Sequence, residues 1–232
     1  MIDQNMISIL SATRINPDYP KARALVQLFV NQNPFVGEKI CGGGGLIPVR
    51  RPLDTFVDNG FMLVGNSACQ TVPTLGSGVA SALLAGTIAA KAILHSLKRK
   101  DYSLMSLWEY NREFLRTRGA ILASYDIFRL QGQSLSPGEI SHFFKESFIS
   151  TYLMERMMLS QPIAISPILI AKVLFNMVKN RRFFSLIKNW TDAQRIFTLY
   201  KNYPYNFVES NFKLWQKSVK NIFAKYYERS VF

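Results

Sequence analysis

The chain has 232 residues, of which 48% are hydrophobic and 19% are charged, with 17 Phe and 10 Tyr. This composition excludes a disordered or low-complexity chain and suits one large domain or two small ones. Cys41 and Cys69 are the two cysteines, which excludes a disulfide scaffold and an all-cysteine zinc site. The two histidines, His95 and His142, are too far apart in sequence for an HExxH-type site, so we predict no metal site.

The net charge of +13 is concentrated toward the C-terminus, because residues 171–232 carry +9 and residues 1–170 carry +4. A basic, aromatic-rich segment suits an anionic partner, such as a membrane surface, a nucleic acid or a phosphorylated lipid. A solvated basic face is the alternative. Nucleic acid is the least favoured partner, because the sequence contains no recognisable nucleic-acid-binding module. The chain does not begin like a signal peptide, and we expect a cytoplasmic protein that is at most peripheral to a membrane.

The first half of the chain predicts two strands and two helices. Met6–Ile15 is rich in β-forming residues, which predicts a strand, and Pro20–Val30 carries an apolar stripe typical of a short helix. Phe61–Gly65 is a continuous apolar run between turn residues, which predicts a fully buried strand. Val79–Leu97 predicts a helix of small residues that packs closely against its neighbours. It is just long enough to span a bilayer, but Lys91 and other polar residues within it argue against that interpretation.

The second half of the chain is predicted to be helical. Met105–Gly132 forms one helical segment, and Ser136 caps the next one, with Pro137 in the first position and Glu139 completing a capping box. An apolar segment that we interpret as a core or interface helix follows, and two aromatic helices end the chain. These three segments are Pro162–Val178, Thr191–Tyr200 and Tyr205–Tyr227.

A candidate binding site lies where the predicted strand ends and the small-residue helix begins. Gly65 allows a ligand to approach the backbone closely, and Asn66 offers an amide to a ribose-like or ribityl hydroxyl of that ligand. Gly76 and Gly78 open the helix, whose free N–H groups suit an anion or an electron-rich carbonyl. Segment 76–81 approximates GxGxxG, but it does not directly follow a strand and has no acidic residue about 20 residues later. It is therefore not the primary dinucleotide fingerprint.

Together these features resemble the second flavin-contacting motif of the geranylgeranyl reductase family, which shares the p-hydroxybenzoate hydroxylase type of FAD fold. Leu63–Ala68 and Pro73–Val79 match that motif, with weaker similarity at Gly44–Pro48 and Thr198–Phe207. The resemblance is strong over about Gly42–Leu97 and faint elsewhere. It implies an α+β fold in which FAD is contacted by Gly65, Asn66, Pro73, Gly76, Gly78 and Val79.

The resemblance also implies roles for individual residues. Asn66 stands where the family has an aspartate on the ribityl or pyrophosphate side of FAD, and asparagine keeps the hydrogen bond but lacks the charge. Gly78 and Val79 would bring N–H groups to the O2/N1 edge of the flavin ring, where negative charge develops on reduction. Arg50 and Arg51 are candidates for binding a lipid or cofactor phosphate, with a solvated turn as the alternative. No catalytic residue is assigned.

Two features of the family are missing from this sequence: the βαβ unit with GxGxxG, and a Tyr-x-Trp-x-Phe-Pro substrate motif. The resemblance therefore implies the C-terminal half of such a reductase, either as a gene fragment or as one subunit beside an N-terminal-half subunit. Residues 1–60 are then expected to be a strand-rich remnant of the substrate/FAD domain. Residues 61–100 would be the second FAD-contacting strand-loop-helix, and residues 101–232 a helical region.

The function implied is FAD-dependent reduction of isoprenoid C=C bonds in geranylgeranyl lipids, by a protein that is incomplete alone. A non-catalytic basic lipid-binding module at a membrane surface is one alternative, and a monooxygenase or halogenase of the same flavin fold is another. Cys69 is a candidate redox thiol, although no His or second Cys is near it in sequence.

Aromatic residues of the C-terminal part either pack in the core or line a channel for isoprenoid chains, with basic neighbours facing anionic headgroups. The aromatic residues are Phe183, Phe184, Trp190, Phe197, Tyr200, Phe207, Phe212 and Trp215, and the basic ones are Lys179, Arg181, Arg182 and Lys188.

Overall fold

The structure is a computed structural model that describes residues 6–13, 15–145, 155–156, 161 and 183–227. It divides into two compact units, Met1–Leu46 and Ile47–Phe232. The first unit contains α1 (Ala22–Gln32), which confirms the helix predicted from residue 20. The strand predicted over Met6–Ile15 is wrong for the residues described there, which form neither strand nor helix. A β-forming composition does not make a strand unless another strand pairs with it.

The second unit begins with a short hairpin. Strand β1 (Val57–Asp58) pairs antiparallel with β2 (Phe61–Met62), and Val57 lies opposite Met62. Gly60 makes the turn at a φ of 67°, a conformation that favours glycine. The prediction of a fully buried strand is wrong in both length and burial, because β2 has two residues and Phe61 is 54% exposed. Within the described residues the sheet has two strands, so β2 pairs with one strand, β1.

Helices make up most of the second unit. Helix α2 confirms the small-residue helix, and α3 and α4 are joined through one π-helical turn at 115–119, which confirms the continuous helical segment. Helix α5 starts as predicted, because the Ser136 hydroxyl accepts from the Glu139 N–H and the Glu139 carboxylate accepts from the Ser136 N–H. The bounds are α2 (Val79–Arg99), α3 (Leu104–Phe114), α4 (Ala120–Gln133), α5 (Pro137–Lys145), α6 (Phe183–Lys201) and α7 (Glu209–Tyr227).

The core lies where α4 packs against α6 and α7 and where α3 packs against α2 and β1. Tyr200 and Trp215 are buried there in edge-to-face contact, and Trp108 stacks on Tyr203 with ring centroids 5.2 Å apart. Phe197, Phe207 and Phe212 are partly buried against the same core. Core packing is therefore confirmed for these five C-terminal aromatic residues. Pro162–Val178, Lys179, Arg181, Arg182 and the side chains of Phe183, Phe184 and His142 lie outside the described residues.

The molecule is thus mostly helical with a small two-stranded antiparallel sheet, which is consistent with an α+β fragment. The division at residues 60 and 100 stays a prediction. Helix α2 is long and apolar enough to cross a bilayer by length and composition, and 33% of its apolar window is buried. A helix of this kind is weak evidence for a membrane span, because core helices of soluble proteins share these properties.

Candidate functional site

The structure brings together the two groups that the sequence singled out, the Asn66 amide and the start of α2. Gly65 begins a short 3-10 turn after β2 at a φ of 73°, and Asn66 follows it with an exposed side chain. Gly78 is the N-cap residue of α2. A Cβ placed on Gly78 would lie 3.3 Å from Asn66 Oδ1 and 2.9 Å from Thr71 Cγ2. The carboxamide and the helix start therefore lie side by side.

The start of α2 is open to solvent. Ser77 and Val79 are exposed, and Gly78 is half-buried. Gly78 has no side chain with which to bond the first N–H groups of the helix, so those donors and the positive end of the helix dipole are available to a ligand. With the Asn66 amide beside them, they offer several hydrogen bonds to a group that carries oxygen or negative charge.

Pro73 and Gly76 shape the loop that leads to α2. Pro73 is buried, and Gly76 has a φ of 70°. The Val72 N–H donates to the Ser77 carbonyl at 2.8 Å, and the Gly76 N–H donates to the Val72 carbonyl at the same distance. Both residues therefore set the path of the backbone, and glycine suits position 76 because other residues rarely adopt a positive φ.

A buried pair that sequence reasoning missed holds the turn in place. The Gln70 side chain accepts from the Gly65 N–H at 2.7 Å and donates to the Tyr110 hydroxyl at 2.8 Å. The Tyr110 hydroxyl in turn donates to the Leu63 carbonyl at 3.0 Å. Gln70 and Tyr110 are fully buried, and burial raises the pKa of Tyr110 to about 12 despite the hydrogen bond from Gln70. These hydrogen bonds fix the backbone at Leu63 and at Gly65, the residue directly before Asn66.

The two arginines proposed for phosphate binding have different surroundings. Arg51 is half-buried, with its guanidinium paired with Asp54, bonded to the Tyr200 hydroxyl at 3.0 Å and packed over the Phe223 ring. Burial lowers the pKa of Arg51, but Tyr200 and Asp54 outweigh this effect and hold the pKa above its usual value. These partners favour a structural role for Arg51. Arg50 is exposed and stays the candidate of the pair for an anionic ligand.

The remaining candidates have structural surroundings. Cys69 is buried, and its burial raises the pKa of the thiol, which disfavours the reactive thiolate. His95 is half-exposed at the far end of α2, where its Nδ1 lies 3.0 Å from Glu109 Oε2. Within the described ranges, no three His, Cys, Asp or Glu side chains are grouped as a metal ion would require.

A cleft of about 500 Å³ lies at the C-terminal end of α2, away from the candidate site. Arg99 and Arg112 contribute positive charge to it, and Trp108 and Tyr205 contribute aromatic surface. None of the predicted flavin- or phosphate-binding residues lines this cleft, although Phe207, one of the aromatic residues considered for an isoprenoid channel, does. The candidate site is instead an open surface, which suits a ligand that is also contacted by a second polypeptide segment.

Comparison with known proteins identifies relatives of one kind. A scan against protein-family models gave no match. A digeranylgeranylglycerophospholipid reductase from Sulfolobus acidocaldarius is 30% identical over 214 residues, which cover 90% of this chain and 43% of that protein. A protein of the same name from Methanosarcina acetivorans is 35% identical over 88 residues, 38% of this chain and 21% of its own. The chain spans less than half the length of the relatives that it matches.

Proposed function

Because the chain belongs to the geranylgeranyl reductase family, we propose that it forms the C-terminal portion of an FAD-dependent reductase of isoprenoid C=C bonds. The proposed substrates are geranylgeranyl lipids, as the names of the relatives indicate for those proteins. The observation that carries the proposal is the Asn66 amide beside the uncapped start of α2. This arrangement joins a hydroxyl-binding group to a set of fixed N–H donors on one open surface.

The residues present fit a flavin. FAD, once bound and reduced, would supply the hydride for reduction of the double bond, and solvent would supply the proton. The N–H groups at Gly78 and Val79 would donate to an electron-rich edge of the ring, where fixed donors stabilise developing negative charge. Asn66 would bond a ribityl hydroxyl, and the Gln70–Tyr110 pair would hold the Asn66 turn in position. The chain's own contribution is therefore to orient the cofactor.

The proposal is tested on the chain assembled with the part of the Sulfolobus acidocaldarius reductase that it does not match. We expect this assembly to bind FAD and, when dithionite is added to reduce the flavin, to add hydrogen to geranylgeranyl lipid double bonds, measured as a mass gain of one H₂ per bond. Asn66→Ala should weaken FAD binding about tenfold, which corresponds to about 1.4 kcal/mol for one lost hydrogen bond. Asn221→Ala is the matched control, because Asn221 is an exposed asparagine on α7.

Three results would contradict the proposal in whole or in part. An assembly that binds no flavin would remove the cofactor role of the site. An assembly that binds flavin but inserts oxygen or halogen into its substrate would support a hydroxylase or halogenase of the same fold. Stoichiometric FAD in the isolated chain would show that the cofactor is not shared with another segment.

A further inference from the structure

Helix α2 is apolar on two opposite faces. Its inner face is buried in the core through Ala85, Ile88 and Ala92, which are at most 4% exposed. Apolar residues also recur at helical spacing on the opposite face, which we name the outer stripe. All of its members are exposed. The exposed fractions of the four larger side chains, Val79, Leu83, Leu94 and Leu97, are 74%, 69%, 56% and 50%. The outer stripe consists of Val79, Leu83, Ala90, Leu94 and Leu97.

This exposure is unusual for a helix of this composition. A surface helix normally has a polar face toward water, and a helix that is apolar all round is normally buried. Soluble proteins rarely expose a long continuous apolar patch unless something binds to it. The outer stripe runs along nearly the whole of α2, from its first residue to two residues before its end. It therefore marks a surface that another molecule covers.

The residues in and beside the outer stripe favour a protein over a bilayer. Gly86 lies between Leu83 and Ala90, and a Cβ placed on Gly86 would meet nothing within 4 Å. Small residues at the middle of a face let another backbone approach closely, as in packed protein interfaces. Lys91 is exposed beside the stripe, and a bilayer-spanning helix would have to bury its charge at a high cost.

The comparisons indicate which protein segment is missing from this surface. The chain matches 43% of the Sulfolobus acidocaldarius reductase, so more than half of that relative has no counterpart in it. The outer stripe begins at Val79, directly after the N-cap Gly78 of the candidate site. A segment that covers the stripe would also stand next to the proposed flavin site, which is open to solvent in this chain.

We propose that the outer stripe of α2 is the docking surface for a polypeptide equivalent to the part of the Sulfolobus acidocaldarius reductase that this chain does not match. This inference rests on the proposed function for the choice of partner. Docking through Leu83 and Leu94 brings the partner to the start of α2 and turns the open site into a closed one.

The experiment measures association without FAD between the full chain and the unmatched segment of the Sulfolobus acidocaldarius reductase, by titration calorimetry. We expect a complex whose dissociation constant rises at least tenfold in Leu83→Arg and in Leu94→Arg. Leu214→Arg should leave it unchanged, because Leu214 is a comparably exposed leucine (64%) on α7. Circular dichroism melting curves of the three variants confirm that each is folded.

Several outcomes would overturn the docking proposal. If the unmatched segment does not bind, or if all three variants bind it equally, the outer stripe is not its docking surface. If Leu83→Arg dissociates a dimer of this chain, the occupant is a second copy. If Leu83 is required for binding to phosphatidylcholine vesicles, the occupant is a lipid surface. Because FAD is absent from the titration, the result is independent of the reductase proposal. A Leu83-dependent complex that later fails to bind flavin would keep the docking surface and refute the reductase function.

Discussion

At the residue scale, the candidate site depends on how closely three groups approach one another. The Cα of Gly78 lies so near Asn66 and Thr71 that even a methyl group there would collide with Thr71 Cγ2 at 2.9 Å. Thr71 is itself held, because its hydroxyl donates to the Pro48 carbonyl. The missing side chain at Gly78 is therefore what allows the Asn66 amide to lie beside the first turn of α2.

Gly78→Ala should destabilise the protein by about 1–3 kcal/mol, because Thr71 must shift to admit the methyl group. Gly86→Ala is the matched control within the same helix, since its methyl group meets open space. Alanine favours the helix, so that variant should gain about 0.5–1 kcal/mol. Denaturant unfolding of both variants measures the difference between their free energies of unfolding. Equal stability of the two variants would show that Thr71 leaves enough space for a methyl group at position 78.

At the element scale, one hydrogen-bonded pair joins the hairpin, the site turn and α3. Gln70 lies just after the 3-10 turn and Tyr110 lies in α3, so their bond ties two elements that are 40 residues apart. Asn111, the next residue in α3, adds a second tie, because its side chain accepts from the Phe56 N–H at 2.8 Å. The hairpin has few strand bonds of its own, and these contacts with α3 stabilise it.

The burial of Tyr110 predicts how stability depends on pH. Its pKa is about 12 in the folded protein and 10 in the unfolded chain, so folding favours the neutral phenol. This contribution is complete below pH 10 and is lost as pH rises toward 12, by about 3 kcal/mol at most at about 1.4 kcal/mol per pKa unit. Urea unfolding across this range should show a fall in stability that is shallower in Tyr110→Phe.

Two comparisons check the role of Tyr110. At neutral pH, Tyr110→Phe should lose about 1 kcal/mol with its two hydrogen bonds. Tyr205→Phe is the control and should leave the stability at neutral pH unchanged, because Tyr205 is 62% exposed. A pH dependence that is identical in wild type and Tyr110→Phe would mean that other groups cause the alkaline loss.

At the scale of the whole molecule, part of the positive charge lies on one face of a single helix, α7. Lys213, Lys217 and Lys220 are exposed on α7 at spacings of four and three residues, which places them on one face. A surface of this kind suits binding to an anionic membrane, because anionic headgroups attract clustered lysines. A solvated basic face remains the alternative explanation of the same residues.

The chain should bind vesicles that contain phosphatidylserine at low salt and dissociate at high salt, because the attraction is screened. Replacing Lys213, Lys217 and Lys220 by Glu should weaken binding at least tenfold, since each lysine contributes about 1 kcal/mol. The matched control replaces Lys91, Lys98 and Lys100, which are exposed on and just after α2. Sedimentation measures binding, and equal loss in both triple variants would show that net charge rather than the α7 face is responsible.

The sequence by itself determined the parts of this protein that depend on neighbours within a few residues. The apolar spacing of α2 and the Ser136–Glu139 capping box act within a turn or two of helix, and the structure confirms both. The resemblance to the geranylgeranyl reductase family was also visible in a local motif, and the relatives confirm it. Its three-segment division and the roles of its flavin-contacting residues stay predictions.

Only the tertiary structure decided what depends on distant partners. Phe61–Gly65 has the composition of a buried strand, but burial requires other elements packed on both faces of a sheet, and Phe61 in the two-stranded sheet is 54% exposed. The spacing of residues does not predict that Tyr110 meets Gln70, or that Asp54 and Tyr200 enclose Arg51 rather than leave it for a ligand. The contacts of Tyr110 with Gln70 and of Tyr200 with Arg51 form because helix packing brings together side chains that are 40 and 149 residues apart.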